Sequence, residues 1–147
     1  MSSSNVRFTT YPGIGEWAAS NLHYSQAAII PPNSARVECS GQGGWDPSFT
    51  EYPKFPGAID AEIAQAFENV DLALKHAGKE LGRDMGWKQA YRVNSYHRVI
   101  DEEVTGCMVK GFSKWMGDKK PIWTQIGVKQ LGAEDMRVEI EVVAIVD

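Results

Sequence analysis

The sequence predicts an α+β domain in which two helices cover one face of a mixed sheet. Three observations carry that prediction. Two segments place their apolar residues on one helical stripe, several others alternate in strand fashion, and the elements follow one another as β, β, α, β, α, β, β.

VRFTTYPG, from Val6 to Gly13, reads as a short strand closed by a Pro-Gly turn, and SARVECSGQGG, from Ser34 to Gly44, as a second strand ending in a glycine-rich loop. A hairpin-like opening fits both. IIPPN, between them, supplies a turn because its two prolines remove two amide donors from any ladder. From Ala58 to Ala77 the residues Ile63, Phe67, Val70 and Leu74 fall at spacings of four, three and four, which predicts a helix with Gly78 as its stop. Asp60 and Glu62 near its start, and Lys75 and His76 near its end, suit the helix dipole. GWKQAYRVNSYHRVI, from Gly86 to Ile100, alternates as a strand. Val104, Met108, Phe112 and either Trp115 or Met116 then recur at helical spacing, predicting a second helix from about Asp101 to Met116 ahead of Gly117. PIWTQIGVKQL and MRVEIEVVAIV, separated by GAED, are the two final strands.

Length and composition frame these elements. A chain of 147 residues, 43% of them hydrophobic, suits one domain spanning residues 1–147 with flexibility confined to Met1 to Asn5. The net charge of −4 and the lack of any basic run longer than Lys119 and Lys120 argue against a nucleic-acid surface. Cys39 and Cys107 have neither metal nor disulfide spacing and read as free thiols, and the three histidines lack metal-like spacing, so no metal is expected. GQGG at 41–44 lacks the Lys-Ser/Thr of a phosphate loop. Without an apolar leader or an 18-residue apolar run, the protein is expected to be soluble and cytoplasmic, with no membrane partner.

Four segments, HYSQA (23–27), CSGQGGWDP (39–47), PIWTQIGV (121–128) and VEIEVVAIV (138–146), in this order and around the helix AFENVDLALKHAG, resemble the YjgF/RidA family, also called the L-PSP endoribonuclease family. The likeness extends from about Tyr24 to the final residue. It implies a chorismate-mutase-like protomer, a homotrimer with a small-molecule cleft at each subunit interface, no cofactor, and hydrolysis of 2-imino or enamine acids to 2-keto acids and ammonia. Carried over residue by residue, Tyr24 and the Ser40, Gly41, Gln42 loop line the cleft, and Glu139 positions and deprotonates the attacking water. Trp123 stands where the family places the arginine that clamps the substrate carboxylate, and Gln125 in the same segment completes the candidate binding set.

The missing arginine argues against ordinary 2-imino acid hydrolysis, because loss of a buried partner to a charged ligand costs about 2–5 kcal/mol. It leaves hydrolysis or tautomerisation of an imine or enamine without that anchor, with non-catalytic metabolite binding as the alternative and ribonuclease action third. Trp123 reads as a stacking platform or as filler of an abandoned site. On pattern alone Glu139 reads as a solvated strand residue, and only the family motif turns that reading toward the cleft; Glu141 shares its face.

Overall fold

The computed structural model describes residues 5–48 and 53–146. Most of the segment expected to be flexible, residues 1–4, lies outside the described residues; Asn5 is described and exposed. The strands are β1 (Arg7–Thr9), β2 (Ala27–Ile29), β3 (Ala35–Glu38), β4 (Gln42–Gly43), β5 (Ala90–His97), β6 (Ile122–Gly127) and β7 (Val138–Val146). The helices are α1 (Ile14–Leu22), α2 (Ile59–Glu80) and α3 (Glu102–Met116). The main sheet runs β3-β7-β5-β6, with β4 also paired to β7; β1 and β2 form a separate two-stranded sheet. Among the described strand pairs only β5–β6 is parallel, and α3 supplies the crossover such a pair requires. The predicted α+β class and mixed sheet hold.

Three predicted features differ. The opening is not a hairpin between the first two predicted strands: β1 pairs with β2, Arg7 opposite Ile29, while β3 pairs with β7, Ala35 opposite Val146. Pro31, Pro32 and a left-handed Asn33 (φ 60°) divide β2 from β3, so the two strands go to different sheets. Helix α1 was not predicted, and its sequence explains why. Its buried residues are the small Gly15 and Ala18, whereas Ile14 and Trp17 are 63% and 53% exposed, so no inward apolar stripe marks it.

The second difference is at Gly78, which does not stop α2. The helix passes through it to Glu80 because Gly78 serves packing: a Cβ there would stand 2.6 Å from the Arg83 carbonyl oxygen and 3.0 Å from Met85 Cβ. The third is at Trp87–Gln89, a 3₁₀ turn rather than the start of a strand. Asp71 Oδ1 accepts the Trp87 amide (3.2 Å) and the Gln89 side chain accepts the Gly86 amide (2.8 Å), so local partners outcompete the ladder.

α3 follows its prediction closely. Asp101 caps it, accepting the Val104 amide at 2.8 Å, and Gly117 ends it at φ 61°. Val104, Met108, Phe112 and Met116 all point inward, and Trp115 is only partly buried. The core lies between α2, α3 and one face of the sheet. At its centre Phe67 stacks on Trp87 (4.9 Å between rings), and Phe112 meets both Phe67 (5.5 Å) and Trp123 (5.0 Å) edge-on. Register divides the side chains by face. Val93, Ser95 and His97 of β5 share the helix side with Trp123, Gln125, Val138, Ile140 and Val142, whereas Arg92, Asn94, Tyr96, Glu139 and Glu141 lie on the open side, which no helix covers.

Candidate functional site

The structure gathers the predicted site residues into two groups. The first is built by β4, which pairs with β7 so that Gly43 stands opposite Glu139 and Gln42 opposite Ile140. That pairing lays the Ser40, Gly41, Gln42 loop on the acid. A Cβ on Gly41 would overlap the Glu139 carboxyl group, so only glycine allows the contact. Gln42 Nε2 donates to the Ser40 carbonyl (3.2 Å) and closes the loop on itself.

Glu139 is half-buried, and its carboxyl is pushed above the ordinary value, first by burial and then by the neighbouring Glu141 charge. Glu141 has its own donors, the Tyr96 hydroxyl (2.8 Å) and Asn94 Nδ2 (3.2 Å). Its charge is therefore held in place beside Glu139, while Tyr96 itself stands opposite Glu139. One carboxylate is fixed by hydrogen bonds and the other takes up a proton more readily than usual, an arrangement suited to moving protons. The Tyr96–Asn94–Glu141 network escaped the sequence reading. Its only signal is two polar side chains two residues apart on β5, facing the acid pair once register is known.

The second group surrounds Trp123. Its ring is 9% exposed on the helix side, edge-on to Phe112 and 5.8 Å from the Tyr24 ring at 83°. Its Nε1 donates to Ser95 Oγ (2.9 Å), and Ser95 Oγ lies 2.8 Å from His97 Nε2. An indole N–H can only donate, so Ser95 accepts from Trp123 and has its own proton left for His97. Burial lowers the His97 pKa to about 4, so the ring is neutral near pH 7. Gln125 also lies on the helix side and accepts from Thr105 Oγ1 (3.3 Å). Its Nε2 and His97 Nδ1 have no partner among the described residues. Tyr24 is placed by its neighbours: His23 Nε2 contacts the Lys119 carbonyl (3.0 Å), and the Ser25 amide donates to the Pro121 carbonyl (2.8 Å).

Within one chain the two groups do not meet. Glu139 and Trp123 occupy opposite faces of the sheet, and Trp123 pairs with Val93 whereas Glu139 pairs with Tyr96. A cation does line the cavity of about 290 Å³ at this edge, where Arg92 joins Tyr24, Gln26, Asn94, Trp123 and Thr124. Arg92 is four positions along β5 from Tyr96, about 13 Å at 3.3 Å per residue. It is out of reach of a small molecule held at Glu139 of the same chain. Among the described residues, no cluster of three or more His, Cys, Asp or Glu could hold a metal, and no helix is long and apolar enough to cross a membrane.

The chain matches the family model described as endoribonuclease L-PSP over residues 16–146. No curated protein is significantly similar to it. Its fold is that of several solved structures. A Rid-family protein of unknown function, YyfB from Yersinia pestis, superposes with a TM-score of 0.79 at 17% identity, over 97% of this chain and 99% of that one. E. coli TdcF with bound serine gives 0.63 at 19% identity, over 96% and 94%. RidA from an Antarctic Psychrobacter gives 0.61 at 22% identity, over 95% and 94%.

Proposed function

For a chain that belongs to the endoribonuclease L-PSP family, we propose action on a small imine or enamine in clefts shared between copies of a homotrimer, at a cytoplasmic location. In this reading the Glu139 and Ser40–Gln42 group of one copy faces the Tyr24–Trp123 edge of the next, with Gln125 behind it. The opposite-face placement of the two groups supports such sharing, because one chain alone offers only half a cleft. The half-buried Cys39 and Cys107, free of any disulfide among the described residues, suit a reducing compartment.

The observation that carries the chemistry is Glu139, pressed against Gly41 with its proton affinity raised by burial. Its carboxylate takes a proton from water as the oxygen adds to the C=N carbon, and passes that proton to the nitrogen to give a carbinolamine. The carboxylate then takes the hydroxyl proton and hands it to the amino nitrogen as the C–N bond breaks, and a carbonyl and ammonia leave. Atoms balance as imine plus water to carbonyl plus ammonia. Trp123 stands where the family's carboxylate clamp would stand, with its ring turned into the core and no charge to offer, which favours a substrate lacking that anchor. The serine bound to TdcF supports a cleft of amino-acid size.

The test is ammonia release from a panel of imines and enamines with and without a carboxylate. Turnover of the uncharged members that Glu139→Gln abolishes is the expected result; turnover that survives Glu139→Gln removes the assignment. A second reading, metabolite binding without turnover, is favoured by the burial of Trp123 and its bond to Ser95, which close that edge. Saturable ligand binding with no ammonia release across the panel would select it. Ribonuclease action has the least support, given the net charge of −4.

A further inference from the structure

A cavity of about 590 Å³ lies beyond the two groups described above, where the Pro53–Gly57 segment passes over the end of β5 and the start of β7. Among the described residues its lining carries Lys54, Arg98 and Arg137 with Asp135, a basic concentration in a chain of net charge −4. Arg137 is held from behind by Glu62 of α2, whose side chain is fully buried. Glu62 accepts the Arg137 amide (2.8 Å) at one oxygen and Arg137 Nε (2.7 Å) at the other. Arg137 Nη2 donates to the Pro56 and Gly57 carbonyls (3.2 and 3.1 Å). The guanidinium is thus fixed along its Nε–Nη2 edge at the cavity wall. Arg98 lies next to it, its amide donating to the Arg137 carbonyl (3.2 Å), and its Nη1 donates to the Glu134 carbonyl (3.2 Å).

The cost of burying the Glu62 carboxylate is offset by its two bonds to Arg137, which also fix that guanidinium in place, and two neighbouring guanidinium groups beside a lysine match the oxygens of a phosphoryl group. We propose that this cavity is a binding site for a small phosphorylated metabolite, with Arg98, Arg137 and Lys54 on the phosphoryl oxygens. Phe55 walls the remainder of the molecule, and Asp135 offers an acceptor to a ligand hydroxyl. The site is independent of any chemistry at Glu139.

The experiment is calorimetric titration of the intact protein with inorganic pyrophosphate at low salt. Saturable binding is expected, weakened about 10-fold or more by Arg98→Gln and by Lys54→Gln and reduced by added salt. Arg36→Gln, which removes an exposed arginine paired with Glu38 at 3.8 Å on β3, leaves it unchanged. No saturable binding up to about 10 mM overturns the proposal. So does binding that Arg98→Gln and Lys54→Gln leave intact, or that Arg36→Gln weakens equally, since the latter would report overall charge. Thermal melting of each variant confirms that the folded protein is being titrated.

Discussion

Replacing Glu139 by Gln keeps its size and its contact with Gly41 while removing the titrating group, so it separates chemistry from packing. Imine hydrolysis is expected to fall by about 10²–10⁴-fold, the usual contribution of a positioned acid–base group. Because the folded carboxyl holds its proton more tightly than the unfolded one, stability declines as pH rises from the ordinary value of 4.5 through the raised one. Glu139→Gln abolishes that decline, which urea titrations across the window measure. His97 has the opposite sign. Its folded pKa of about 4 lies below the ordinary 6.5, so its stabilising contribution is complete above pH 6.5 and is lost as pH falls toward 4. The loss amounts to about 3 kcal/mol at most. His97→Asn should flatten the acid limb while lowering stability at pH 7. At Trp123 the sequence identified the departure from the family pattern but not its direction. The ring points into the core, so Trp123→Arg would bury a guanidinium beside Phe112, and a destabilisation of several kcal/mol is expected, read as a fall in melting temperature.

Elements with a wide apolar stripe were legible; those specified by close approach or side-chain partners were not. The α3 stripe, its Asp101 cap and its Gly117 stop could all be read, because each is a local signal repeated within a few residues. α1 left no stripe, and the Trp87 turn depends on Asp71, sixteen residues away. Gly111 shows the same limit within a correctly predicted helix. Helix propensity alone says that Gly111→Ala stabilises α3 by about 1 kcal/mol. The Phe67 ring lies where the new methyl would go, so net destabilisation of about 1–3 kcal/mol is expected instead, measured by chemical unfolding. A stabilised Gly111→Ala protein would mean that α2 and α3 shift apart without cost.

At the scale of the whole molecule, the open side of the sheet argues for association. Glu139, Glu141, Tyr96 and Asn94 share it with half-buried Ile122, Ile126 and Val143, and no helix among the described residues lies over it. Light scattering is expected to give three times the 16.3 kDa chain mass, about 49 kDa, and a 16.3 kDa species at micromolar concentration would contradict the shared cleft. The sequence named the residues of both groups, and its family resemblance implied a cleft between subunits; which face of the sheet each residue reaches was not legible, because short motifs carry only spacing along the chain.

β7 has a consequence for how the protein comes into being. Three strands pair with it, and β3 and β4 have no other partner in the described sheet. All three precede it in the chain, separated from it by up to about a hundred residues. On the ribosome, then, β3 and β4 emerge with unpaired backbones and wait through the synthesis of α2, β5, α3 and β6. Folding of the sheet is a late event completed by one strand, and a nascent chain stalled before Val138 presents exposed strand edges to chaperones and proteases rather than a partial domain.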